Sequence, residues 1–242
     1  MSSLSFDDYK KLASDNSLES YEKVGFQAMH RRDTEVEISP DIISKLPLLR
    51  QRNKTVLDIG CGCSRPVLDL IHHCRHYDQR LILVDSEEML VNLPDEAHVT
   101  KRPHLFPTDA DFLQEWHNKA DVVISYSVLH AIYEHQSFLM FMDQAVSLLR
   151  SGGQMLIGDI ANVSKRKRFL SSAEGVAFHR CWSGEDRDPV VIWNEMYEGI
   201  DDSVVFHLMQ RYRAMGMETY LLPQPEGLPM NRTREDLLVF KW

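Results

Sequence analysis

Residues 55–70, TVLDIGCGCSRPVLDL, join a strand-length run to an acid, two glycines, two cysteines and a segment with helical spacing. The glycines point to a ligand-binding turn. Glycine reaches φ > 0 without steric cost and lets a ligand approach the backbone with no Cβ in the way. The cysteines point instead to a metal. Cys61 and Cys63 are one residue apart, short of the gap of about two to four residues in common zinc pairs, and Cys74 and Cys181 supply no matching second pair. The spacing therefore predicts free thiols, with neither a disulfide nor a metal, and leaves the turn to the glycines.

Outward from this stretch the chain alternates. Apolar runs of strand length occur at TVLDI (55–59), RLILVD (80–85), ADVVISYS (120–127), GQMLIGDI (153–160), METYLL (217–222) and DLLVFKW (236–242). Several are apolar at consecutive positions, as in strands covered on both faces. Between the early runs lie RPVLDLIHHCRHY, SEEMLVNLP and QSFLMFMDQAVSLLR, which suit helices. Alternation of this kind implies a parallel sheet with right-handed crossovers and helices on both faces. The last two runs are joined by PQPEGLPMNRTRE, too polar and proline-rich for a helix, so the final strand is expected to return antiparallel. Residues 5–50 read as helical, with Ser39 expected to cap a helix that has Pro40 at its first position.

Composition narrows the function. The 242 residues carry 27 basic and 36 acidic side chains, a net charge of −9, which argues against broad binding of a nucleic-acid backbone. No apolar run approaches the ~18–20 residues that cross a bilayer, and the start, MSSLSFDDYKK, is not a secretory signal. A cytoplasmic protein that engages neither membrane nor nucleic acid is expected.

A second sign stands beside the glycine turn. Asp85 ends LILVD, 21 residues after Ser64, and an acid at the tip of the neighbouring strand is placed to accept from both hydroxyls of a ribose. Asp58 alone reads equally as a cap of its turn, and Asp85 as a cap of SEEML; strand, glycine turn, helix, strand and acid together favour the ligand. VLDIGCG, DVVISYSVLHAI and LLRSGGQMLIGDI resemble the first, fourth and fifth strand regions of class I S-adenosylmethionine-dependent methyltransferases. The G-x-G-x-x-G spacing of dinucleotide enzymes is not met. The resemblance covers about residues 54–160 well. It implies a Rossmann-like, seven-stranded, mostly parallel α/β sheet with helices on both faces and an antiparallel last strand. S-adenosylmethionine is the implied cofactor, held in a methyltransferase domain at 51–242 beneath a helical cap at 1–50. Carried over by position, the resemblance puts Gly60 and Gly62 along the methionine and ribose, and Asp58 on the amino group. Asp85 falls on the ribose, Asp109 and Ala110 at adenine (Asp111 being a rival), and Ser125 toward the methionine.

The acceptor side is less determined. His130, just past the fourth run, reads equally as a general base or as a structural histidine, with His179 as second choice. Residues 164–200 exceed a plain crossover; they, with Arg180 and Trp182 foremost, and the N-terminal helices are expected to close over the cofactor, with the acceptor between them and the tip of the fourth strand. The expected activity is methyl transfer to a small or medium-sized acceptor, with a metabolite or sugar-type hydroxyl preferred. No DPPY- or NPPY-like tetrapeptide suggests a nucleic-acid base. The rival is a non-catalytic cofactor-binding module, since fold does not fix function; a homodimer is compatible with either.

Overall fold

The computed structural model describes residues 4–184, 186–193 and 199–242. Four helices precede the sheet: α1 (Phe6–Ser14), α2 (Ser20–Lys23), α3 (Ala28–Arg31) and α4 (Ile38–Lys45). The alternating part runs β1 (Thr55–Ile59), α5 (Arg65–His76), β2 (Arg80–Asp85), α6 (Glu87–Leu90), β3 (Val99–Pro103), α7 (Ala110–Trp116), β4 (Ala120–Tyr126), α8 (Leu129–His135), α9 (Phe138–Ser147) and β5 (Leu149–Ala161). Then come α10 (Val163–Leu170), α11 (Ala173–Ser183), α12 (Asp202–Ala214), β6 (Met217–Pro223) and β7 (Arg234–Lys241).

The seven strands form one sheet in the order β3-β2-β1-β4-β5-β7-β6. All pairings are parallel except those of β7, which lies antiparallel between β5 and β6. This is the Rossmann-like α/β arrangement expected from the sequence. Alternate residues feed opposite layers: Leu57 and Ile59 pack with α7, α8, α9 and α12, whereas Val56 packs with α4 and α5. That period of two, covered on both sides, explains why the runs are apolar throughout. Chain order reverses between β1 and β4, opening a crevice beyond their carboxyl ends.

Two local expectations are corrected. Ser39 does not cap α4, which begins at Ile38; its hydroxyl instead donates to the Pro66 carbonyl at 3.0 Å, tying α4 to α5. The edge strand β3, VTKRP, has no apolar run because none of its residues is fully buried. No helix among the described residues is long and apolar enough to cross a membrane.

Candidate active site

The crevice holds a cavity of about 510 Å³, walled by the ends of β1, β2 and β4, by α8, and by the N-terminal helices. Its size suits a small-molecule ligand. At one end is the turn after β1. Gly60 and Gly62 have φ of +74° and +62°, a region glycine occupies freely. A Cβ on Gly60 would stand 2.6 Å from Val128 Cγ2, and one on Gly62 would stand 2.7 Å from Val24 Cγ1. The turn is thus pressed between the start of α8 and the loop after α2. Asp85, at the tip of β2, is aimed by two backbone donors: Gly62 N reaches Oδ2 at 2.8 Å and Ser86 N reaches Oδ1 at 2.7 Å. Ser86, not Asp85, caps α6 through Met89 N.

Asp58 and Asp85 both line this end. Burial, helped by the Asp85 charge, pushes the Asp58 carboxyl up to about 8. Burial lifts Asp85 to about 6, against the pull of its two backbone donors. Two desolvated acids facing one cavity favour a ligand that brings positive charge and hydroxyl donors.

Arg31, at the end of α3, also lines the cavity, and its side chain is 4% exposed. Its Nη2 donates to Ser127 Oγ at 2.7 Å and to Asp159 Oδ2 at 3.2 Å, and Ser127 Oγ donates to the same Asp159 oxygen at 2.6 Å. Ser127 and Asp159 follow or end neighbouring strands, and both hold left-handed backbones, with φ of +61° and +60°. Non-glycine residues adopt that conformation at a cost and keep it where their surroundings over-determine it. Here Asp159 N is also held by Asp236 Oδ1 at 2.8 Å.

Residues 29–193 match the family described as Methyltransferase domain. The chain belongs to that family. S-adenosylmethionine is its methyl donor, as in the enzymes the sequence resembles. No curated protein matches the chain. Among solved structures, the methyltransferase is similar to the plantazolicin methyltransferase BamL, solved with a desmethylplantazolicin analogue and S-adenosylhomocysteine. Identity is 12%, coverage 98% of this chain and 97% of that one, and the TM-score 0.59. It is also similar to phosphoethanolamine N-methyltransferase 1 of Haemonchus contortus (16% identity, 97% and 48% coverage, TM-score 0.61). The CurJ carbon methyltransferase matches at 16% identity, 82% and 50% coverage, TM-score 0.52. The chain therefore spans about half the length of the last two and nearly all of BamL.

The cavity residues of the methyltransferase fit this donor. Asp85 has the position and acceptor atoms for ribose hydroxyls, Asp58 for the amino group, and the two glycines give the turn the left-handed backbone that bonds Asp85. The sequence places adenine at Asp109 and Ala110, but neither lines the cavity. Asp109 instead caps α7 by accepting from Phe112 N at 3.0 Å. Its rival Asp111 is likewise absent from the wall. His104, Leu105 and Phe106 form the wall there. His104 Nε2 is buried without a partner, burial holds its ring below the ordinary imidazole range, and Asp109 lies 3.8 Å from Nδ1. A neutral imidazole with an unmet polar atom suits a heterocycle edge.

Other expected residues also sit elsewhere. Ser125 is buried with its hydroxyl donating to the Ile59 carbonyl at 3.0 Å; Ser127, two residues on, reaches the cavity. His130 is absent from the wall, which α8 supplies through Ala131, Ile132 and His135. Its Nδ1 is buried without a partner, and burial, helped by the Arg234 charge, lowers its pKa. His179, Arg180 and Trp182 all lie on α11, outside the cavity. Arg180 pairs with Asp188 at 2.7 Å and Trp182 is 58% exposed, and none of the described residues of the 164–200 segment lines the cavity; residues 185 and 194–198 of it lie outside the described residues. Phe6, Tyr9, Phe26 and Arg31 of the N-terminal segment do line it.

The raised acids set a pH dependence. A donor whose ammonium meets Asp58 would favour its ionised form, so binding is expected to release a proton that Asp58, and to a lesser degree Asp85, holds in the free protein near pH 7. Affinity for S-adenosylmethionine is expected to rise from pH 6 to pH 8, with proton release seen by calorimetry in buffers of different ionisation enthalpy. A carboxyl whose folded pKa lies above its unfolded value stabilises the fold most at low pH. The ligand-free protein should therefore lose stability as pH rises from about 4 to about 8, and the donor should restore it. Affinity that is flat across pH 6–8 would count against the assignment of these two acids.

Proposed function

We propose that the methyltransferase alkylates a hydroxyl of a small metabolite seated between the β4–α8 junction and the N-terminal helices. The observation that supports this reading is Ser127, on the cavity wall at the β4–α8 junction, with its hydroxyl paired to Asp159. S-adenosylmethionine supplies an electrophilic methyl group already activated by the sulfonium. What remains for the protein is to place the acceptor in line, to exclude water and to receive a proton.

Ser127 Oγ donates its proton to Asp159 and accepts from Arg31, which leaves one lone pair to accept from an acceptor hydroxyl. As the acceptor oxygen took the methyl group and the methyl–sulfur bond broke to leave S-adenosylhomocysteine, the hydroxyl proton would pass to Ser127 Oγ, whose own proton would move to the Asp159 carboxylate. This pair takes the role expected of His130. Tyr126, whose phenol burial keeps protonated, and Val128 flank the position. Phe26 lies against the Arg31 guanidinium beside it, a contact that the helices ahead of β1 supply.

Incubation with S-adenosylmethionine carrying a labelled methyl group, against fractionated small metabolites, tests the reading. Ser127→Ala should lower kcat by about 10²–10⁴-fold, the usual contribution of a positioned proton acceptor, while S-adenosylhomocysteine affinity is kept. His130→Ala should cost far less. Equal turnover by Ser127→Ala and wild type would remove the pair from the proton path.

A further inference from the structure

We infer that the acceptor carries a carboxylate, separate from the atom that is methylated, and that Arg31 is the residue that anchors it. This rests on the reading of the cavity as a methyl-transfer site and names its substrate class.

Charge on the cavity wall is unequal. Asp58, Asp85 and Asp7 line it, Asp85 being bonded to the glycine turn. Among the described residues, Arg31 is the only lysine or arginine in the wall. A guanidinium is charged at every pH the protein meets, so Arg31 gives the wall a fixed cation.

Arg31 is also incompletely bonded. Among the described residues both of its hydrogen bonds leave from Nη2, toward Ser127 and Asp159. Its Nε is buried without any partner. A buried N–H left unmet is costly, the more so on a charged group, and is uncommon enough to need a cause. Phe26 lies under the guanidinium, its ring centroid 3.9 Å from Cζ, and fixes the plane of the fork. An anchored, planar and under-bonded guanidinium on a cavity wall matches an oxyanion.

The neighbouring charges decide which oxyanion. Asp159 already sits against Arg31 and lies 3.9 Å from Arg234 Nε. A dianionic phosphate beside the Asp159 carboxylate would meet like charge with a single wall arginine to offset it. One carboxylate makes the smaller demand. Because a carboxylate held by Arg31 has its charge quenched, it serves as the handle, and the hydroxyl near Ser127 remains the nucleophile.

The experiment uses the full chain, S-adenosylmethionine with a radiolabelled methyl group, and a small-molecule extract of cells that carry the protein, separated at pH 7 on an anion exchanger. Label should enter a compound from the retained fraction. The labelled product should itself be retained, and phosphatase treatment of the fraction should change nothing. With that fraction as acceptor, Arg31→Lys, which keeps the charge and loses the planar fork, should raise KM by about tenfold while S-adenosylhomocysteine affinity is kept. Label drawn from the unretained fraction overturns the inference. So does loss of the acceptor to phosphatase, or a product that is no longer retained, since the anion itself would then be the methylated group. An unchanged KM for Arg31→Lys overturns the role of Arg31. No label from any fraction, with S-adenosylhomocysteine still bound, overturns methyl transfer to a small acceptor and this inference with it.

Discussion

Gly60→Ala is expected to abolish binding of S-adenosylmethionine in the micromolar range while leaving a folded protein of reduced stability. The added methyl carbon meets Val128 Cγ2 at 2.6 Å on a backbone whose φ is +74°. A left-handed backbone costs a non-glycine residue about 1–2 kcal/mol, and an overpacked contact costs about 1–3 kcal/mol more. Relief by backbone rotation withdraws the turn from the ligand; relief by moving Val128 displaces the β4–α8 junction that carries Ser127. Either route spends energy that binding would have to restore, so affinity should fall by about 10²-fold or more. Titration calorimetry with S-adenosylhomocysteine, run beside a thermal melt, separates lost binding from lost fold. Near-wild-type affinity would mean that the turn tolerates a side chain and does not lie against the ligand.

Lys45→Met is expected to cost about 3–5 kcal/mol of folding stability, because it leaves buried carboxylates without their cation. Lys45 Nζ lies 2.6 Å from Asp41 Oδ2 and 2.6 Å from Asp236 Oδ2, with Asp236 fully buried. Burial already raises the pKa of Asp41 and its Asp236 neighbour adds to this, so the charge of Asp41 depends on the lysine. The other oxygen of Asp236 accepts from Asp159 N at 2.8 Å and from Gln224 Nε2 at 2.9 Å. The loss should therefore reach the acceptor end of the cavity by freeing the strained Asp159 backbone. Urea denaturation measures the stability change. A cost below about 1 kcal/mol, the range of exposed ion pairs, would show that the triad is solvated.

The parts of this molecule that were legible in the sequence are those set by nearest neighbours. The β1 turn and the tip of β2 declare themselves because glycine and a strand-terminal acid are local demands of backbone and ribose. The antiparallel β7 was legible because its connection from β6 could not be a helix. The edge strand β3 was not, since a half-covered edge is stable with Lys101, Arg102 and Pro103 in it. His104 was overlooked because Asp109 fitted the family's acid, and only the fold shows that Asp109 spends its carboxylate on a helix cap. Ser127 was missed by two residues: a strand end is uncertain by about that much, and a change of two is enough to take a hydroxyl from the core to the cavity. The Arg31–Asp159 contact spans 128 positions and has no local signature. The aromatic and basic 164–200 segment misled for the opposite reason, since a composition suited to a pocket says nothing about which side of the sheet it covers.

The central claim is that the methyltransferase holds its donor on the Gly60–Gly62 turn with Asp85 on the ribose. Calorimetric titration of wild type and Asp85→Ala with S-adenosylhomocysteine at one pH tests it most directly. Removing the carboxylate leaves two ribose hydroxyls without their charged acceptor, and the account predicts one site per wild-type chain and a loss of about 1–3 kcal/mol of binding in the variant. Equal affinity in the two proteins, or no binding by wild type, would contradict it.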